Sequence, residues 1–232
     1  MVVILVGLTI ILLITVDLVI RWRIAHRAKP QPALAEAVMN LLLPALQPAH
    51  FSLPSGLFFH RGHTWANLLF SGQVKVGVDD FLQRLLGHID DIGLPPIGTA
   101  VKEGKPFVTI RQNGRTTGLR APMDGEVCAV NAELLKNPNL IKRDPYTRGW
   151  LVALRPTGLS RDLPRLEVGD GALAWLGTEV ARLQDFLSRM LAAEHHPMIG
   201  VTAADGGVHV DGLLEHVDEE TWHRFQKEFL GA

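Results

Sequence analysis

Hydrophobic residues run unbroken at one end of the chain and thin into short alternating stretches along the rest. Residues 2–20 read VVILVGLTIILLITVDLVI, 19 positions with a single charge at Asp17. At about 1.5 Å per residue such a helix matches a hydrocarbon core of about 30 Å, so the pattern predicts a transmembrane anchor over residues 1–21. No basic residue precedes the run, which argues against a cleaved signal peptide. Arg21, Arg23, Arg27 and Lys29 follow it. The positive-inside rule then puts the N-terminus outside and the rest of the chain in the cytoplasm, at the cytoplasmic membrane, with Trp22 as an interfacial anchor. Asp17 stands four residues before Arg21, on the same helix face, where an i,i+4 pair with snorkelling accounts for it.

Residues 22–56 carry Pro30, Pro32, Pro44, Pro48 and Pro54 and form a Pro-rich linker, within which the apolar stretch 33–46 suits a membrane-surface or docking helix. From residue 57 the texture changes to short β-type runs at 68–78, 89–94, 107–112, 115–120, 125–130 and 150–154, separated by turn residues. Residues 79–86 place Phe81, Leu82, Leu85 and Leu86 on one face of a short helix that breaks at Gly87. After Pro156, Leu173, Leu176, Val180, Leu183, Leu187 and Met190 follow at spacings of three and four, an amphipathic helix of about five turns. Residues 198–210 read as a small hairpin around Asp205-Gly206-Gly207. Asp218 is placed to N-cap a last helix with Trp222, Phe225 and Phe229 on one face. The predicted fold class is mainly β (α+β), with a β domain at 57–158 and a helical C-terminal part at 159–232.

Composition narrows the function classes. The 23 Lys and Arg against 24 Asp and Glu leave a net charge of −1, with no basic surplus for a nucleic-acid backbone. A single cysteine, Cys128, excludes a disulfide framework and a cysteine-based zinc or iron–sulfur site. Its place in an alternating strand reads as a small buried hydrophobe. The ten histidines include His60 with His63 and His195 with His196, but none has metal-ligand spacing with acidic or cysteine partners. No Ser/His/Asp spacing or phosphate-binding loop is present. The expectation is therefore a non-enzyme with no catalytic residues and no metal.

Several motifs between Phe59 and Pro156 go beyond generic patterning. They are His63-Thr64-Trp65; Val76-Gly77-Val78 before the 79–86 helix; Leu94-Pro95 with Gly98, Val101 and Gly104; Ala121-Pro122 with Gly125-Glu126-Val127; and Asn137-Pro138, Leu140, Asp144-Pro145-Tyr146 and Gly149-Trp150. Together they resemble the H protein of the glycine cleavage system, the lipoyl-carrying shuttle of that complex. The resemblance covers about 100 residues and implies a lipoyl-like barrel-sandwich hybrid. Residues 218–225 also resemble the family's closing helix, which makes 160–212 an insertion.

The resemblance fails at the carrier position. Where the family has a Glu-Ser-Val-Lys segment whose lysine accepts lipoate, this chain reads Arg111-Gln112-Asn113-Gly114, and no lysine occurs from Pro106 through Leu135. Gly114 thus occupies the lipoyl-lysine position, and the expectation is that lipoate is absent. Asn113-Gly114 is instead the preferred pair for a two-residue type I′ turn. Arg111, Arg115 and Arg120 surround this tip as a candidate interface for an acidic partner. The leading expectation is a membrane-anchored, lipoate-free scaffold or docking subunit, its partners being the membrane and one or more proteins of a membrane complex, with no nucleic acid. The alternatives are a working glycine cleavage H protein, an aminomethyl carrier, and a periplasmic efflux-adaptor-like protein, whose lipoyl-like domains carry a similar Ala-Pro-x-x-Gly.

Overall fold

The computed structural model describes residues 14–20, 39–40, 42–192, 211–215 and 217–231. Nine strands form two antiparallel sheets. The larger has the order β1 (Phe58–His60), β2 (Thr64–Leu68), β3 (Val74–Val78), β9 (Val152–Pro156), β8 (Gly125–Val130) and β5 (Ala100–Val101). The smaller has β4 (Asp91–Gly93), β6 (Pro106–Gln112) and β7 (Arg115–Arg120), with β6 central. Alternation sets the inner face: Val108, Ile110 and Gln112 of β6 are buried while Thr109 and Arg111 are exposed. This is the expected mainly β barrel-sandwich architecture with helices.

The sequence run at 68–78 is a hairpin rather than one strand. Residues 69–73 turn the chain, closed by Leu69 N–H to the Gln73 carbonyl and Gly72 N–H to that of Leu69, with Gly72 at φ +79°. The turn leaves Phe70 fully exposed, and its hydrophobicity is what disguised it in the sequence. Opposite partners then fix the register, with Trp65 facing Gly77 across β2 and β3.

Among the described residues three helices follow the predicted patterns and two single turns were not predicted. Helix α1 (Asp80–Leu85) starts at Asp79, whose carboxylate accepts from Leu82 N–H at 2.9 Å. Helices α2 (Leu140–Arg143) and α3 (Leu159–Asp162) are single turns. Helix α4 (Asp170–Ala192) buries Leu176, Val180, Leu183, Phe186, Leu187 and Met190. Helix α5 (Glu219–Phe229) is N-capped by Asp218 through Thr221 N–H at 2.7 Å and buries Trp222, Phe225 and Phe229. One apolar cluster joins Leu42 and Leu46, both sheets, α4 and α5. The described part of the 33–46 stretch thus packs on the chain's own core, and the Leu46 carbonyl accepts from Gln184 Nε2 of α4 at 2.8 Å.

Two expectations about the ends need stating against the structure. Among the described residues no helix is long and apolar enough to cross a membrane, so the single-pass placement at the cytoplasmic membrane is not borne out. Residues 14–20 are helical, whereas residues 2–13 of the apolar run and the basic cluster at 21–29 lie outside the described residues. The hairpin expected at 198–210 also lies outside them.

Candidate functional site

The β6–β7 hairpin closes on Asn113 and Gly114, at φ +49° and +75°, so both central residues adopt the left-handed conformation that a type I′ turn demands. A Cβ at Gly114 would meet no atom within 4 Å, which places the turn in open space. Both flanks of the tip are nevertheless tied to the chain. Asn113 N–H donates to Asp90 Oδ2 at 2.7 Å, and Asn113 Nδ2 donates to the Glu215 carbonyl at 3.4 Å.

The three arginines part company. Arg111 points outward, its side chain 58% exposed and 3.7 Å from Asp91. Arg115 sits opposite Gln112 in the register and turns inward, donating to the Leu214 and Val217 carbonyls and lying over the Trp222 ring at 5.6 Å. Arg120 donates to the carbonyls of Leu230 and Gly104. Two of the three cations expected around the tip therefore bind the chain's own C-terminal part, and only Arg111 is presented outward.

The motif residues act as structural pins. Trp65 is buried and donates from Nε1 to the Pro145 carbonyl at 3.1 Å, while Gly77 leaves room for its ring. The Tyr146 hydroxyl accepts from Asp80 N–H at 2.9 Å and donates to the Ser52 carbonyl at 2.5 Å. Burial, with the Asp79 carboxylate nearby, pushes this phenol far above the ordinary tyrosine range. Asn131 Nδ2 donates to the carbonyls of Arg148 and Trp150, each at 2.7 Å. Lys142 donates to the Gln83 and Leu86 carbonyls at the end of α1, and burial lowers its pKa.

Sequence reasoning missed two polar clusters. In the first, Asp162 is buried, accepts from Asp124 N–H at 3.0 Å and pairs with Arg161 at 2.8 Å. Hydrogen bonding from Arg161 holds the Asp162 carboxyl below the usual range, and the Glu103 N–H does the same for Asp124. In the second, the fully buried His63 lies between Asp79 and Glu179 of α4, beside an open cleft of about 740 Å³ lined by His60, Arg61, Arg120, Trp175 and Arg182 among others. No local spacing marks either cluster, because Asp124 is far in sequence from Asp162 and His63 from Glu179. Cys128 is half-buried and donates to the Ala153 carbonyl at 3.3 Å. Among the described residues no group of three or more His, Cys, Asp or Glu could hold a metal ion.

Two small antiparallel sheets, one of them ending in a tight two-residue hairpin, define the class of domain as a barrel-sandwich. A family model described as glycine cleavage H-protein matches residues 57–170. The probable glycine cleavage system H protein of Thermococcus kodakarensis is 33% identical over 121 residues, which cover 52% of this chain and 90% of that protein. The glycine cleavage system H protein of Hydrogenovibrio crunogenus is 36% identical over 108 residues, covering 47% of this chain and 84% of that one. A crystal structure of a glycine cleavage system H protein from Mycobacterium marinum matches 53% of this chain and 97% of its own, with 25% identity and a TM-score of 0.47. The chain belongs to the glycine cleavage H-protein family. Members of this family are carriers rather than catalysts, so the chain is not an enzyme.

The expectation that no cofactor belongs to this protein is corrected by that membership, since the family carries lipoate on a lysine. The hairpin tip itself does not fit the group. Lipoyl attachment needs an amine, whereas Asn113 and Gly114 offer none and the φ of +75° at Gly114 strains any side chain placed there. Among the chain's seven lysines, Lys29 lies outside the described residues, Lys75 lies over the Trp150 ring, Lys142 is engaged with carbonyls, and Lys102 pairs with Asp124. Lys105, Lys136 and Lys227 are exposed. Lys105 stands at the base of β6, roughly 25 Å along the strand from the tip.

Proposed function

We propose that this chain works as an H-protein component of a glycine cleavage-type system, a non-catalytic aminomethyl carrier that docks on protein partners. The observation that carries the reading is the 33% identity over 90% of an H protein, joined to a hairpin that keeps its two-residue turn. Because the tip lacks an amine, the carrier role requires attachment at a lysine elsewhere, such as the exposed Lys105, Lys136 or Lys227. In this reading residues 57–158 are the carrier domain, and Leu214, Val217 and Trp222 of the C-terminal part cover the inner side of the hairpin.

The hairpin tip then serves as a docking surface, with Arg111 as its outward cation and Arg115 holding its shape from behind, while Arg120 stands at the far end of the hairpin opposite Pro106. Arg111 favours this assignment because it is the member of the trio directed to solvent. Intact-mass measurement and peptide mapping of the full chain, produced in cells that lipoylate a control H protein, test the carrier role. The expected result is a lipoyl adduct on a lysine outside residues 106–135. A uniformly unmodified chain beside a lipoylated control would overturn it.

A further inference from the structure

The buried histidine faces a carboxylate that it does not yet bond. His63 has no solvent exposure and holds a backbone φ of +59°, a conformation that costs a non-glycine residue energy unless its surroundings impose it. Its ring stacks on Phe81 at 4.6 Å and leans on Trp175 at 5.4 Å. Nδ1 lies 2.9 Å from Asp79 Oδ2, so Nδ1 carries a proton toward that acceptor. Nε2 has no hydrogen-bond partner and lies 3.8 Å from Glu179 Oε2.

Glu179 is meanwhile held from its other side. Arg182 Nη1 donates to both of its carboxylate oxygens, at 2.6 and 2.8 Å. The same guanidinium donates from Nη2 to the Glu228 carbonyl and lies 5.0 Å over the Phe229 ring, with its side chain 45% exposed at the cleft. This is the geometry expected when the imidazole is neutral, because the Nε2 lone pair and a carboxylate oxygen are both acceptors and neither can donate. A proton taken from solvent onto Nε2 turns that contact into a donor–acceptor pair. Glu179 Oε2 then needs to move about 1 Å to reach hydrogen-bond distance, giving up one of its two bonds from Arg182.

We propose that Glu179 is a two-position carboxylate that relays the charge of the buried His63 to the surface, binding Arg182 through both oxygens when the imidazole is neutral and dividing its oxygens between His63 and Arg182 when it is protonated, so that acidification loosens the Arg182 guanidinium at the cleft. The remaining charged neighbours do not supply the same switch. Asp79 keeps its bond to Nδ1 in both states. Asp80 is committed to Ser52 N–H, Gln83 and Arg84. His60 pairs with Glu103 at 3.4 Å, Arg120 holds backbone carbonyls, and the Glu228 carboxylate pairs with Arg189. Burial lowers the pKa of His60.

The test is nuclear magnetic resonance of the isotope-labelled full chain, following the His63 ring nitrogens and the Arg182 Nε–Hε signal across roughly pH 5–8, the range in which histidine changes charge. In the native chain both signals should move with one midpoint. In Glu179→Gln the His63 transition should persist while the Arg182 response is lost, and in His60→Gln both should persist. Should Glu179→Gln not fold, Arg182→Gln tests the same relay, because His63 then keeps its proton to higher pH beside a carboxylate freed from its cation. An Arg182 signal that stays flat while His63 titrates would overturn the relay, as would a His63 that does not titrate in the folded chain. So would an Arg182 response unchanged in Glu179→Gln, or a His63 transition unmoved in Arg182→Gln.

Discussion

Raising the pH should destabilise this protein through one phenol that burial keeps protonated in the folded chain. Tyr146 is the only tyrosine in the chain, so its ionisation can be followed without interference from another phenol. Its hydroxyl accepts from Asp80 N–H and donates to the Ser52 carbonyl, beside the Asp79 and Asp80 carboxylates. A phenolate there would lose the bond to Ser52, shed its hydration and face two like charges, which is why burial drives the pKa up. An unfolded tyrosine ionises near pH 10, and above that point the unfolded chain releases a proton that the folded chain retains. Stability is therefore fully present below about pH 10 and falls by about 1.4 kcal/mol for each further pH unit. Between about pH 10 and 11.5 the loss from this group alone comes to about 2 kcal/mol, a large part of a marginal total. The assay is denaturant unfolding at stepped pH, with tyrosinate absorbance recorded on the folded chain. Tyr146→Phe separates this group from the lysines and arginines: it should lower stability at neutral pH by roughly 1–3 kcal/mol, because the Asp80 N–H loses its acceptor, and should flatten the alkaline limb. Tyrosinate appearing near pH 10 in a chain that is still folded would refute the reasoning.

Three further perturbations probe other parts of the chain. Gly77→Ala puts a Cβ 2.4 Å from the buried Trp65 ring, so unfolding curves should show a loss of roughly 1–3 kcal/mol; a change within about 0.5 kcal/mol would mean that the ring can shift freely. Because Asp162 and Asp124 titrate below the ordinary carboxylate range, the stability they add is present above about pH 4 and is lost as the pH falls through their folded values; Asp162→Asn should be less stable at neutral pH and show a shallower acid limb, which unfolding measured from pH 7 downward checks. Arg111→Glu should change stability by no more than about 0.5 kcal/mol, whereas Arg115→Met should speed amide exchange at residues 213–222; equal effects from the two would contradict the inward placement of Arg115.

Local chemistry made much of this fold legible. Asn113-Gly114 announced its turn because few other pairs accept two positive φ angles, and Asp218 announced its helix because a carboxylate satisfies the first free N–H groups. Apolar chemistry misled where it stood in for a turn, as at residues 68–70, where the run of Leu68, Leu69 and Phe70 hides the end of a strand. The site was harder because its geometry is set by residues far away in sequence. Strand alternation could have told Arg111 from Arg115, since Gln112 shares the inner face with Ile110 and stands opposite Arg115. What alternation cannot supply is the cover over that face, which comes from Leu214, Val217 and Trp222, about 100 residues downstream. The same holds for His63, whose motif position was evident but whose facing carboxylate, Glu179, lies on a helix that the family motifs do not include. A hairpin can therefore keep every local signal of its turn while the residues behind it change its surroundings. Turn chemistry fixes the backbone; the long-range contacts decide which side chains remain available to a partner.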